Sequence, residues 1–554
     1  MTLALRPLLI AILCLAWLLP GLIAHDPWKP DEAYTFGAVY EILQGGGWIV
    51  PQIAGEPFLD KPPLFYLSAA ASALLFSPVL PLHDGARLVA GFWIGLALLF
   101  SAFAARELHG ERRGLISVLL LLGSLGLVVR GHQLIVDVAA LAGFAMAYYG
   151  AALALRRTIP GGFWLGTACG LVFMTQGVPE AVMIVVIAAL LPLLSPHWRR
   201  SQYAAALGVA LIAALPWLTI WPALLYRHDP AMLSAWFTAE NLRRFFGTRD
   251  MLAGLGYYLR TLPWYAFPVW PLALWALWRA RRMAQLGAPG VVLPVLGFMV
   301  TLLMLGSAAE QRELYALPML VPLALLAVPG IDPLRRGPAS GWYWFSIMGF
   351  TFFICIGWFY WGALELGMPA KLHSHLHTIR PGYNFGFRWL PFVLGLVYTA
   401  AWFTLLVRLP RNAERPLIIW AGGITAVWAL LATLFIGWVD TSKSYRSVIT
   451  DMQRVMPRQY QCVVDRDLGE AQRAMLHYFA GIRAQRPESA QATGCDLLLA
   501  QGLPLDELVM PPEWKKIWEG HRPGDKDERL RLYQRQLPQR QLPQRELPQR
   551  QLRK

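Results

Sequence analysis

Apolar runs of about 20 residues recur along most of this chain, and no other feature limits its fold as strongly. Each is long enough to cross a hydrocarbon core of about 30 Å as a helix. Inside that core every backbone N–H and C=O must find its partner within the protein, which favours helices. Of 554 residues, 56% are hydrophobic and only 15% charged, against roughly a quarter charged in soluble domains. The chain reads as an all-α polytopic membrane protein. Candidate spans fall near 5–24, 86–106, 114–130, 137–155, 163–179, 180–195, 203–224, 257–279, 290–306, 314–330, 342–362, 389–407 and 416–438, about 13 transmembrane helices. The first lacks a small-x-small cleavage pattern and runs straight into polar sequence, so it reads as an uncleaved span. Pro63 to Leu80 is apolar but short and bounded by prolines, and reads as a helix lying on the membrane surface.

The charge of +15, from 49 basic and 34 acidic residues, does not point to nucleic acid, because much of it sits in short loops between spans. With the N-terminus cytoplasmic, the inner loops carry Arg106 with Arg112-Arg113, Arg156-Arg157, Arg199-Arg200, Arg279 with Arg281-Arg282, Arg335-Arg336, and Arg408 with Arg411 and Arg415. Every one is basic, as the bias of cytoplasmic loops toward Lys and Arg requires. Counting Pro63–Leu80 as a span would invert them all. This topology puts the first loop (25–85), Asp137, Glu310 to Glu313 and the C-terminus on the outer, periplasmic face.

Residues 1–439 are expected to form the membrane domain. Residues 440–522 then have the composition of a small external α/β domain, with Gln461–Asp465 and Cys495–Ala500 as buried strands and helical patterns at 443–456 and 469–485. Cys462 and Cys495 both fall in it, where a disulfide is permitted; spacing alone does not decide whether they pair. Residues 523–554 are expected to be disordered, because the closing Arg-Gln-Leu-Pro-Gln repeat sets a proline every five residues and so forbids a stable helix. No Cys or His cluster has metal-ligand spacing.

The first loop concentrates ionisable groups beside a span: Asp31-Glu32-Ala33-Tyr34, Gly47-Trp48-Ile49-Val50-Pro51 and Asp60-Lys61-Pro62-Pro63. Charges at a bilayer are costly unless they bind or catalyse something. ATP is not available outside an inner membrane, and no GxxxxGK[ST] motif occurs. Lipid-linked phosphosugars are available there. Transfer from such a donor needs an acid to orient or deprotonate the acceptor and cations to hold the leaving phosphate. Asp31, Glu32 and Asp137 supply the acids, and Lys61, Arg130, Arg243 and Arg244 the cations.

These segments, together with Arg87-Leu88, Gly131-His132, Cys169–Gly177, Trp236–Phe245 and Arg312–Pro318, resemble the GT-C glycosyltransferases in the same order. The branch they look like is that of the lipid A aminoarabinose transferases and the bacterial dolichyl-phosphate-mannose-type transferases. The resemblance implies a GT-C membrane fold and inverting transfer of a sugar from a polyprenyl-phosphate donor to a glycolipid such as lipid A. By resemblance, Asp31 orients or deprotonates the acceptor, with Asp137 as second acid and Glu32 in support. Lys61 and Arg244 grip the phosphate, with Arg243 and Arg130 beside them. Three positions depart from the pattern: Gln176 stands where lysine is usual, Asp60 where Glu precedes the lysine, and Asn241 where His is usual. The last two contribute to a metal site in that branch. Here Asp60 is a weak candidate ligand and Asn241 a poor one, so no cofactor is expected to be required and a divalent metal stays open. The expected partners are a polyprenyl-phosphate-linked sugar, a glycolipid acceptor and membrane lipids. Two alternatives remain, a protein O-glycosyltransferase of the same fold and, in a different class, a lipid-linked sugar flippase.

Overall fold

The computed structural model describes residues 5–242, 250–331, 336–380, 383, 386–489, 492, 494–505 and 510–536. Eight helices among them are long and apolar enough to cross a membrane: Leu82–His109, Thr158–Gln176, Ser201–His228, Pro289–Gly306, Glu313–Gly330, Gly337–Glu365, Trp389–Arg408 and Arg415–Leu434. Each coincides with one of the thirteen candidate spans. The other five fall on shorter or broken helices. The stretch 114–130 splits into Gly114–Leu122 and Leu125–Arg130, and 257–279 splits into Met251–Tyr265 and Val269–Arg282. Pro268 marks the second break, as its missing N–H would lead one to expect. The helix Leu64–Phe76 has 13 residues, about 20 Å at 1.5 Å per residue, short of the core thickness.

The centre of the bundle is the helix Asp137–Leu153, buried along almost its whole length between Leu82–His109 and Thr158–Gln176. Its neighbours approach through small residues, as helices must where lipid offers no hydrophobic drive for association. A Cβ on Gly166 would lie 2.0 Å from the carbonyl oxygen of Ala210, so Thr158–Gln176 and Ser201–His228 meet backbone to backbone there.

Outside the bundle lies the loop helix Asp31–Leu43. It is followed by a small hairpin of β1 (Gln52–Ile53) and β2 (Glu56–Pro57), turning through Ala54 and Gly55 at φ +51° and +85°. The C-terminal unit has helices Arg446–Val455 and Glu470–Ala480 and four strands, β3 (Val463–Arg466), β4 (Leu497–Gly502), β5 (Trp514–Gly520) and β6 (Arg529–Arg535), in the order β3-β4-β6-β5. Parallel β3 and β4 need a crossover connection, which contains Glu470–Ala480. A Cys462–Cys495 disulfide joins the residues just ahead of those strands. One expectation is corrected here: β6 extends the domain past residue 522, because Leu530, Leu532 and Tyr533 are buried in the sheet. Residues 537–554, the rest of the tail expected to be disordered, lie outside the described residues.

Candidate active site

Charge fastens the loop helix to the C-terminal unit. Glu528 receives Lys29 Nζ at 2.9 Å, Tyr445 Oη at 3.1 Å and Gln472 Nε2 at 2.5 Å. Glu41 pairs with His477 and Arg483, both at 3.2 Å, and Glu56 with Arg473 at 2.9 Å and Arg486 at 2.6 Å. A Cβ on Gly37 would come within 2.4 Å of the Ala474 methyl, so the two helices also touch closely. Asp26 accepts from Arg446 Nε at 2.8 Å and Ser444 Oγ at 2.6 Å. Burial alone would raise its carboxyl, but Arg446 and Ser444 outweigh burial and hold it below the usual range.

Arg87, fully buried, anchors the same helix from the membrane side. It donates to Glu32 at 2.9 Å, to Asp84 at 2.7 Å and to the carbonyls of Leu22, His25 and Asp26. Glu32 also accepts the backbone N–H of Leu134 at 2.9 Å and of Trp28 at 3.2 Å. Burial works to raise its carboxyl, and Arg87 overrides it and holds the group ionised. With these partners, Glu32 acts on the fold that carries Asp31.

Asp31 opens the helix and is buried. Its Oδ1 accepts Tyr34 Oη at 3.0 Å and Arg312 Nη2 at 2.5 Å. The helix has Pro30 at its N-cap and no side-chain cap, so Asp31 spends its carboxylate on these partners. The Tyr34 hydroxyl is pushed well above its ordinary range, first by burial and then by Asp31, Asp60, Tyr66 and Asp137. Of these carboxylates, Asp31 is the one hydrogen-bonded to the phenol, and Asp60 and Asp137 act on it through charge. Asp137 begins the central helix and accepts Gln176 Nε2 at 3.2 Å. Lys61 is buried next to Asp60 in sequence, just ahead of the helix Leu64–Phe76. Arg130, the candidate phosphate cation, pairs with Glu313 and donates to Gln133 at 3.0 Å. Arg243 and Arg244 lie outside the described residues.

No protein-family model matches the chain. The undecaprenyl phosphate-alpha-4-amino-4-deoxy-L-arabinose arabinosyl transferase 2 of Pseudomonas fluorescens (strain Pf0-1) is 28% identical over 454 residues, covering 77% of this chain and 75% of that protein. The corresponding transferase of Serratia proteamaculans (strain 568) is 26% identical over 449 residues, 78% and 75% of the two chains. The crystal structure of ArnT from Cupriavidus metallidurans bound to undecaprenyl phosphate superposes with a TM-score of 0.69 at 15% identity, over 96% of this chain and 98% of that one. The chain is a GT-C-fold glycosyltransferase.

For a glycosyltransferase of this fold the residues present do not suit a metal held through positions 60 and 241. Asn241 has both ends of its amide committed: Oδ1 accepts the N–H of Val178 at 2.9 Å and Nδ2 donates to the Trp236 carbonyl at 2.8 Å. A Cβ on Gly177, at φ +109°, would sit 2.6 Å from that Oδ1, so glycine leaves the amide its room. Among the described residues no group of three or more His, Cys, Asp or Glu could hold a metal ion. Sequence reasoning missed Arg312 and Tyr34 as partners of Asp31, and Arg87 as the partner of Glu32. The polar run Glu310-Gln311-Arg312-Glu313 between two apolar segments was the available signal for the first.

Proposed function

We propose that this glycosyltransferase moves a sugar, with inversion, from an undecaprenyl-phosphate-type carrier to lipid A or another envelope glycolipid at the periplasmic face of the inner membrane. The observation that carries the reading is the buried Asp31 carboxylate, which accepts Tyr34 and Arg312 on one oxygen at the polar edge of a multi-pass bundle. Asp31 takes the proton from the acceptor oxygen as that oxygen bonds to the sugar's anomeric carbon. The bond from that carbon to the phosphate oxygen breaks, and its electron pair stays on the phosphate. Asp137 orients the acceptor or the sugar. Lys61, with Arg243 and Arg244, offsets the charge developing on the phosphate, and Arg130, shared with Glu313, contributes more weakly. The basic inner loops support a cytoplasmic N-terminus and a periplasmic C-terminal domain.

Deletion of the gene, complemented with wild type or Asp31→Ala at equal expression, tests this. Mass spectra of envelope glycolipids should lose one sugar increment on deletion, regain it with wild type and not with Asp31→Ala. An unchanged glycolipid profile with an altered envelope-protein profile would overturn the acceptor assignment.

A further inference from the structure

We infer that Arg312, 281 residues away from Asp31 in the chain, is the positioning residue that selects which oxygen of the Asp31 carboxylate receives the acceptor's proton. This rests on the reading of Asp31 as the base. Both partners of Asp31, the Tyr34 hydroxyl at 3.0 Å and Arg312 Nη2 at 2.5 Å, meet the same atom, Oδ1. A carboxylate oxygen offers two lone-pair directions, so Oδ1 is filled. Oδ2 has no partner among the described residues and is the oxygen left for the acceptor.

The guanidinium is itself held in place. The carbonyl of Arg312 accepts the hydroxyl of the buried Tyr258 at 3.4 Å, and the guanidinium lies 5.8 Å from the centre of the Tyr315 ring. The next residue, Glu313, pairs with Arg130, which ties the turn Glu313–Ala316 to the end of the helix Leu125–Arg130. One short segment therefore fixes a cation on Asp31 and an anion on Arg130. Burial would lower the ionisation of Arg312, and Asp31 more than offsets it, so the group stays a cation. The Arg312 side chain is 28% exposed and that of Asp31 9%, so the pair is largely withdrawn from solvent. A carboxylate fixed on one oxygen by a guanidinium and a phenol cannot rotate to present the other, so the proton acceptor is preset before substrate arrives. Misplacing a catalytic group by about 1 Å costs on the order of 100-fold, and that is the effect this arrangement prevents.

Steady-state transfer by the purified full-length enzyme, with the lipid-linked sugar varied, tests the assignment. Arg312→Gln should lower kcat about 100-fold with the donor KM within about threefold, and Arg312→Lys should recover part of the loss, because its single ammonium restores the charge but not the planar fork. The double variant Asp31→Asn/Arg312→Gln should be no slower than Asp31→Asn alone. Wild-type kcat in Arg312→Gln overturns the inference, as does an intact kcat with a donor KM raised tenfold or more, which would make Arg312 a phosphate contact. If Asp31→Asn itself turns over normally, the base reading fails first. If Asp31→Asn is inactive and Arg312→Gln is not, only the positioning role fails. Should Arg312→Gln not be recovered folded, Tyr34→Phe and Arg312→Lys carry the test: lowered kcat at constant KM supports the role, and wild-type kcat in both overturns it.

Discussion

The bundle interior is held by close packing, and the junction above it adds a dense set of ion pairs. Around Asp137–Leu153 the helices meet through glycine and alanine with no space for a methyl group, as at Gly166 against Ala210. Between the loop helix and the C-terminal unit, ion pairs centred on Glu41, Glu56, Asp26 and Glu528 are added to the close approach of Gly37 and Ala474. Water is a good solvent for the unfolded junction, so it needs specific charge partners. Lipid is a good solvent for the separated helices, so they need close fit. The candidate site lies where the two meet: Asp137 is contributed by the packed side and Asp31 by the charged side. Each region can therefore fail on its own and take a different acid with it.

The largest effect is expected from overfilling the packed side. Gly166→Leu places a side chain where even a Cβ would lie 2.0 Å from a carbonyl oxygen, a cost of about 3 kcal/mol. Size-exclusion chromatography of detergent-solubilised protein should show loss of the monodisperse peak. A wild-type profile would mean that close packing is not what joins these helices.

Next is the charged side. Glu528→Ala removes the shared acceptor of Lys29, Tyr445, Gln472 and Arg522 and should cost about 3 kcal/mol, because buried partners are left uncompensated. Limited proteolysis should cleave the C-terminal unit faster while the membrane bundle keeps its chromatographic profile. Equal protease resistance would argue that charge does not hold the junction.

The smallest effect is a pH dependence at the same junction. Asp440 accepts Trp28 Nε1 at 2.7 Å and the N–H of Asp26 at 3.0 Å. Burial first, and then the neighbouring Asp26, push its carboxyl up from 3.8 to about 6. The fold thus favours the protonated form. That stabilising contribution is complete below the unfolded value near 3.8 and is lost as pH rises through about 6, by about 1 kcal/mol after discounting for partial exposure. Asp440→Asn keeps an acceptor oxygen for both donors, so it should raise Tm by a few degrees at pH 7.5 and leave it unchanged near pH 4. A Tm gain of the same size at both pH values would contradict this account of Asp440.

What could be read from the chain before its structure follows the same division. Long apolar runs located all eight long helices, because periodicity and length are local properties. Breaks inside runs were not legible at Gly123-Ser124 or at Phe267-Pro268, where tertiary contacts and one proline end helices that hydropathy alone would continue. β6 was hidden because Arg529, Arg531 and Arg535 mask the alternation of Leu530, Leu532 and the neighbouring Tyr533. In the site, Asp31, Glu32, Lys61 and Asp137 stood out as charges in apolar surroundings. Their partners did not: Arg312 and Arg87 reach across 281 and 55 residues, and no local pattern encodes such pairings. Asn241 read as a weakened ligand until its amide was seen tying Val178 to Trp236.

The central claim is that Asp31 accepts the proton during sugar transfer from a lipid-linked donor. Its most direct measurement is the rate of transfer by purified protein given an undecaprenyl-phosphate-linked sugar and lipid A, comparing wild type with Asp31→Asn at matched Tm. Loss of a positioned general base predicts a fall of about 100- to 10,000-fold. An Asp31→Asn enzyme within about threefold of wild type, below any general-base contribution, would contradict it.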